Sequence, residues 1–354
     1  MVIQGAATDR FLALTGARLP LVQAPMANFA GSALAIAALK AGAVGSLACA
    51  VLSPEQVAAE VAAIRAAAAG PINLNFFCHK LGPQPDETAW HAALAPFYQA
   101  EGVAPPVQPP VLRKPFDAVM AEVIEAVRPE IVSFHFGLPD APLLDRVRAS
   151  GARIFGNATN IMEARFLADA RVDAIVAQGF EAGGHAGYFL IGHRPIGVLA
   201  LVRQILKDVD LPVIAAGGIA DIGAARGAIA AGAAAVQVGT AYLRTPEATT
   251  SAVHRQRLAE AGPEDSVFTN LFSGGLARGL RNRLIEALGP VSELAPPFPY
   301  ASAALAQLRA KAEANGRGDY SPLWAGQGVR LSGEEPAEEL TARLGAAALE
   351  GSRI

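Results

Sequence analysis

The chain has little cysteine: two in 354 residues, Cys49 and Cys78, each inside an apolar run. Two such thiols cannot form a disulfide framework, and their setting points to buried, reduced side chains in a reducing compartment. Charge of either sign is also sparse and balanced. Lys+Arg total 29 against 32 Asp+Glu, a formal net charge of −3, and no basic run stands out. That excludes the electrostatic footprint nucleic-acid binding needs. Residues 1–10 lack a basic flank leading into an apolar core, so no secretory signal is expected. The most apolar stretch, residues 30–52, contains Lys40 and is cut by Gly42 and Gly45, which reads as a helix and a buried strand, not a membrane span. A soluble cytoplasmic chain is expected, with an oligomer allowed.

Several catalytic signatures are missing too. No HExxH or close His/Cys/carboxylate set offers a metal site, so no metal is expected. No GxSxG elbow, GxxxxGK[ST] loop or GxGxxG fingerprint occurs.

What is present is alternation. Short apolar runs at 20–26, 44–50, 72–78, 131–136, 153–158, from 173, 211–219 and 234–243 read as strands, and helical segments lie between most of them. Punctuation agrees: Ser53-Pro54-Glu55 and Asp221 open helices, Thr159 or Asn160 caps another, Pro195 opens the next, and Gly42 ends the first. Eight strands, several of them at roughly 23-residue spacing, predict an α/β fold, a (β/α)8 TIM barrel, with an open doubly wound sheet as the alternative. The alternation pauses at 80–115, a proline-punctuated insertion after strand three with a weak helix at 88–99. Beyond about residue 260 the pattern becomes Gly-, Pro- and helix-rich. The expected organisation is a barrel over 1–260 and a helical appendix over 261–354 packed against it.

In a barrel, the C-terminal strand ends share one rim, where chemistry is placed. Here they carry Ala24-Pro25-Met26, Asn75, His135, Gln178, Gly217-Gly218 and Gln237-Val238-Gly239-Thr240. The rim holds amides, histidines and small residues without a carboxylate pair, which argues against glycosidase chemistry. Glycines after strands seven and eight suit a phosphate cup made of backbone N–H groups, and amides that both donate and accept suit the pyrimidine edge of FMN. The segment 173–187 ends in Gly183-Gly184-His185, a glycine-bordered imidazole just past strand six.

Taken together, Gln23-Ala-Pro-Met26, Ser133-Phe-His-Phe-Gly137, Ala177-Gln-Gly-Phe-Glu-Ala-Gly-Gly-His185, Ala215-Ala-Gly-Gly-Ile-Ala-Asp221 and Gln237-Val-Gly-Thr240 resemble the nitronate monooxygenase family, formerly called 2-nitropropane dioxygenases. The likeness continues through Thr269-Asn270, Ala277-Arg-Gly279 and Leu323-Trp-Ala-Gly-Gln-Gly328. It implies non-covalent FMN and oxidation of alkyl nitronates by O2 to a carbonyl compound and nitrite. By that resemblance Asn75, Gln178, Gly183, Gly218, Gln237, Gly239 and Thr240 contact the cofactor, with backbone help from Ala24, Pro25 and Met26. His185 matches the histidine beside the flavin and His135 the second histidine of the pocket.

A nitronate needs no base. A neutral nitroalkane does, and His185 is then the candidate, with a pKa expected near working pH. His135 either holds the nitro group or is a buried histidine paired to a backbone carbonyl. His79, His91, His193 and His254 are expected to be structural or solvent-facing, and Phe76, Phe77, Phe134 and Phe136 to be packing and pocket wall. The family often has arginine after Ser-Gly in the Thr-Asn segment, where this chain has Gly275. Two other functions stay open: an FMN-dependent NAD(P)H:quinone or enoyl-thioester reductase, and a non-catalytic ligand-binding barrel.

Overall fold

The computed structural model describes residues 4–106 and 112–353; Pro109 and Pro110 of the insertion lie outside the described residues. The strands are β1 (Leu21–Gln23), β2 (Gly45–Ala48), β3 (Ile72–Phe77), β4 (Ile131–His135), β5 (Arg153–Ala158), β6 (Ala174–Gln178), β7 (Gly184–His185), β8 (Val213–Ala216), β9 (Ala235–Val238), β10 (Ser266–Thr269) and β11 (Ala277–Leu280). The helices are α1 (Gln4–Thr15), α2 (Ser32–Ala41), α3 (Pro54–Ala67), α4 (Thr88–Glu101), α5 (Ala118–Val127), α6 (Ala141–Ala149), α7 (Ile161–Asp169), α8 (Val198–Asp208), α9 (Ile222–Ala230), α10 (Ala252–Glu260), α11 (Arg283–Leu288), α12 (Ala306–Ala314) and α13 (Ala337–Gly351).

Eight strands pair in parallel in the order β1-β9-β8-β6-β5-β4-β3-β2. A single bridge, Val22 to Val44, joins the ends of that sheet. Val44 N–H donates to Leu21 O and Gln23 N–H to Val44 O, each at 3.0 Å. The sheet is thereby a TIM barrel and not an open one. Its apolar residues divide as strand alternation requires. Leu47, Leu74, Phe76, Val132, Phe134 and Ile154 belong to the core shared with the outer helices. Val22, Val44, Ile131, Phe155, Val176 and Ile214 form a separate cluster with Phe11 of α1. Such full burial contributes roughly 1.5–3 kcal/mol for each large aliphatic or aromatic side chain.

The turn chemistry read from the sequence is realised at named atoms. Ser53 and Gln56 form a capping box at the start of α3, Asp221 Oδ1 accepts from Ala224 N–H at 2.7 Å, and Asn160, rather than Thr159, caps α7. Gly42 ends α2 with φ +103°, in the left-handed region. One boundary differs: α8 begins at Val198 instead of Pro195, because the Glu181 carboxylate accepts from Val198 N–H at 3.0 and 3.1 Å and sets the first turn there. Both cysteines are free; Cys49 is buried, whereas Cys78 is only half-buried.

Residues past 260 are not all helical. The strands β10 and β11 pair with each other, and β11 pairs with β7, in a small antiparallel sheet. The insertion and the C-terminal region share a second core. Trp90, Leu94, Phe97 and Tyr98 of α4 pack with Leu271, Leu284, Leu305, Leu308 and Tyr320. The Glu101 carboxylate adds a polar clamp, accepting from Arg317 at 2.6 Å and from Tyr320 at 3.1 Å. The final helix, α13, behaves differently. It lies against α9, α2 and β1, completing the helical layer outside the barrel.

Candidate active site

All twelve residues singled out from the sequence line one cavity of about 190 Å3, at the C-terminal ends of the barrel strands. Ala24, Pro25 and Met26 follow β1, Asn75 lies on β3, His135 ends β4, Gln178 ends β6, and Gln237, Gly239 and Thr240 belong to β9 and the turn after it. Gly218 follows β8, and Gly183 and His185 come from the segment after β6.

One wall is built from backbone. Gly217 and Gly218 have φ of +122° and +70°, conformations that side-chain-bearing residues rarely adopt. The N–H groups of Gly218, Gly239 and Thr240 donate to no described residue. Gly239 is informative for another reason: a Cβ there would meet only Ala24 Cβ at 3.5 Å and the Met26 sulfur at 3.7 Å. Neither the fold nor its own φ of −120° requires glycine at that position. The cup is completed from far away in sequence, where Gly326 N–H donates to Thr240 Oγ1 at 2.9 Å and Gln327 N–H to Glu181 O at 2.9 Å. A Cβ on Gly326 would lie 2.6 Å from Glu181 O.

The opposite wall is built from side chains. Gln178 spends its amide on its own loop: Nε2 donates to His185 O at 2.8 Å, and Oε1 accepts from Gly187 N–H at 2.8 Å and from Asn157 Nδ2 at 3.2 Å. His135 Nε2 donates to the same His185 carbonyl at 3.2 Å. This is the carbonyl pairing foreseen for it, made by a half-buried ring that also lines the cavity. Burial pushes His135 down to about 4, against the opposing pull of that hydrogen bond. Glu163, fully buried, accepts from Thr159 N–H, Thr159 Oγ1 and Phe189 N–H at 2.7–2.9 Å, which fastens the far end of the loop to β5.

The glycine-rich turn expected at 183–187 is in part a strand. Gly184–His185 pairs with Ala277–Arg278, and Ala186 N–H donates to Leu276 O at 2.9 Å. Arg278 secures that sheet, its guanidinium held between the rings of Phe180 and Phe268 at 4.3 and 4.4 Å while Nε donates to Phe180 O at 3.0 Å. His185 Nε2 meets Ser273 Oγ at 2.9 Å, and Nδ1 has no partner among the described residues. When Nε2–H donates to Ser273, the lone pair rests on Nδ1. The expected pKa near working pH is not observed: burial first, then the charges of Arg113, His135 and His79, hold the imidazole well below its ordinary value. His185 is thus neutral at physiological pH but a weak proton acceptor.

Aromatic rings pack around it, with Phe298 at 5.2 Å, Trp324 at 5.6 Å and Phe77 at 6.0 Å between centroids. Phe136 carries φ +66°, strain of about 1–3 kcal/mol for a non-glycine residue at the edge of a site. Phe77 and Phe134 line the cavity, and the rings of Phe76 and Phe134 both pack against Phe116. Gly275 leaves its side-chain volume to Phe298. Of the remaining histidines, His79 Nε2 donates to Arg113 O at 3.1 Å, and His254 is buried against Phe29. His91 lies 3.8 Å from Glu87 and His193 stacks near Phe268. Sequence reasoning did not single out Arg113, Ser273 or Phe298, and quoted Trp324 only inside a resemblance motif. Single residues in proline-rich or irregular segments carry no periodicity or spacing by which to find them.

Fold and site define the class: a TIM-barrel enzyme with a glycine-lined backbone wall facing a buried histidine. The chain belongs to the nitronate monooxygenase family, whose model matches residues 9–346; the family is generally flavin-dependent. It is 39% identical over 345 residues to a nitronate monooxygenase of Pseudomonas aeruginosa, covering 95% of this chain and 98% of that one. It is also 39% identical over 343 residues to one of Paraburkholderia phytofirmans, covering 94% and 93%. Among solved structures, a nitroalkane oxidase from Streptomyces ansochromogenes superposes with TM-score 0.86 at 33% identity, covering 97% of this chain and 99% of that chain. FabK from Thermotoga maritima, with TM-score 0.71 at 21% identity and 96% of each chain covered, shares the fold. No described helix is long and apolar enough to cross a membrane.

Proposed function

We propose that this chain binds FMN and oxidises alkyl nitronates with O2 to a carbonyl compound and nitrite. The observation that carries the cofactor is the cup: unpaired N–H groups at Gly218, Gly239 and Thr240, after the seventh and eighth barrel strands, beside a glycine that only an incoming ligand explains. Gly183 adds close backbone approach, and Ala24, Pro25, Met26, Asn75, Gln178 and Gln237 form the walls that would hold the ring system. Bound FMN would supply the electron transfer from nitronate to O2.

The protein's own part is orientation and exclusion of water. His185 lies buried among Phe77, Phe298 and Trp324, so a substrate beside it is shielded on several sides. Ser273 fixes the ring through Nε2 and leaves Nδ1 to meet a ligand. A base held far below its ordinary pKa is poorly matched to abstracting a carbon-bound proton. This favours the pre-ionised nitronate over the neutral nitroalkane, with His185 Nδ1 as proton acceptor when the neutral form is used. His135 steadies the His185 backbone and serves the substrate indirectly.

The test is the visible spectrum of the purified protein, followed by O2 uptake and nitrite release with propane-2-nitronate. A flavin spectrum with nitronate-dependent uptake is expected. Colourless protein that fails to take up FMN, or a flavoprotein inert toward nitronates, would overturn the reading.

A further inference from the structure

Beyond the cup and the histidine, the cavity opens into an outer chamber of about 890 Å3 between the barrel rim and the C-terminal region. Arg113 and His185 line both spaces. Arg113 is half-buried, and its guanidinium makes no ion pair or hydrogen bond with any described residue. The other inward-turned arginines contrast with it. Arg255 donates to the carbonyls of Arg244, Thr245, Ala248 and Thr250, Arg317 to Glu101 and Asp319, and Arg278 to Phe180 and Ser266.

The acids of the outer chamber are already engaged. Asp117 Oδ1 accepts from Met120 N–H at 3.0 Å to cap α5, and Glu313 accepts from Arg309 at 2.8 Å and Ser321 at 2.7 Å. A guanidinium withdrawn from water without a counter-charge is costly unless a ligand supplies one. Its planar fork of N–H donors matches two oxygens that share one negative charge.

We propose that Arg113 recognises the anionic nitro group of the substrate at the junction of the two chambers and makes the site selective for anions. The inference rests on the nitronate reading, because a nitronate carries its negative charge on two coplanar oxygens. Arg113 is then a specificity-determining residue, while the outer chamber leaves room for the carbon chain.

The experiment uses FMN-loaded enzyme and two probes. Inorganic nitrate, a planar unreactive oxyanion, is titrated against the flavin spectrum, and propane-2-nitronate is turned over. In Arg113→Met, which keeps the length and removes the charge, nitrate affinity should fall on the order of 10- to 100-fold, the worth of one charge-assisted hydrogen bond. The nitronate KM should rise in the same range and change more than kcat. Arg113→Lys, which keeps charge but loses the fork, should fall between, and it gives the readout if Arg113→Met does not fold. Lys114→Met, the same charge removed from the neighbouring exposed residue, should shift both by less than about twofold.

Arg113-dependent nitrate binding without nitronate turnover would sink the functional reading and uphold the anion site. Nitronate turnover with KM and nitrate affinity unchanged in Arg113→Met would do the reverse. Equal losses in Arg113→Met and Lys114→Met would assign the effect to the diffuse field and overturn the inference, as would wild-type enzyme that shows no nitrate response.

Discussion

The two walls of the cavity are made of different material. The cup around Gly218, Gly239 and Thr240 is mainly backbone, shaped by the positive φ of Gly218 and by two residues without side chains. The histidine wall is side chain throughout, with Gln178, Asn157, His135 and Ser273 each contributing to the placement of one loop. A backbone cup binds whatever brings an anion close, because peptide N–H groups carry no identity. A side-chain wall fixes one geometry and fails when a single member is replaced. Under the proposed function, cofactor retention rests on the first wall and substrate chemistry on the second, and substitutions can be chosen to separate them.

The largest effect should come from the cup. Gly239→Val adds a Cβ that meets only ordinary contacts at Ala24 and Met26, so the loss of flavin occupancy should far exceed any fall in the apo Tm. Absorbance at the flavin bands against protein concentration checks this; full occupancy would place the phosphate elsewhere. Gly218→Val is a blunter probe, since φ +70° strains the fold as well.

Next comes His185→Asn, which keeps a polar side chain but no proton acceptor near neutral pH. Turnover of neutral nitroalkanes should fall roughly 10²–10⁴-fold and that of pre-ionised nitronate much less. Steady-state rates on both forms decide it, and equal losses would remove the base role. Wild-type activity on nitronate should also persist below pH 6.5, because the imidazole stays neutral there.

Gln178→Leu is smaller. It strands the Gly187 N–H and removes one of two donors from the His185 carbonyl. An orphaned buried group costs about 1–3 kcal/mol, so a lowered denaturation midpoint with reduced kcat and near-normal flavin content is expected. Loss of flavin in proportion to kcat would instead make Gln178 chiefly a cofactor residue and break the division between the walls.

The smallest effect concerns pH. His135 and His254 are pushed down to about 4, each mainly by burial, below the ordinary histidine value of 6.5 that the unfolded chain should show. Between those limits the unfolded chain binds more protons, so the stability these groups contribute is complete above pH 6.5 and is lost as pH falls toward 4. His254→Leu, outside the cavity, should flatten the decline of Tm over that window. An unchanged slope would show that His254 is not buried neutral.

Much of the cup could be read from the sequence because the cause is local. Paired glycines after an apolar strand mean positive φ or close approach wherever they occur, and Gly217-Gly218 have the positive φ, whereas Gly239 keeps a negative one. Apolar runs at regular spacing gave the eight barrel strands, and Asn160 and Asp221 gave helix starts, for the same reason. The histidine wall was legible only in its members. Nothing near His185 announces that its loop becomes a strand against Ala277–Arg278, because the partner lies about 90 residues away. The His135 carbonyl bond depends on that loop being folded, and so could not be chosen in advance over a bond to substrate.

The sequence by itself determined the strand and helix periods and the glycine turns, since each follows from residues close in the chain. Tertiary structure alone decided the rest. It brought Ser273 to His185, Gly326 to Thr240 and α13 to the barrel's helical layer. It also lowered the basicity of His185 through burial and left Arg113 without a counter-charge among the described residues at the mouth of the cavity. Those properties arise from desolvation and from neighbours distant in sequence, and neither quantity is written in any local pattern.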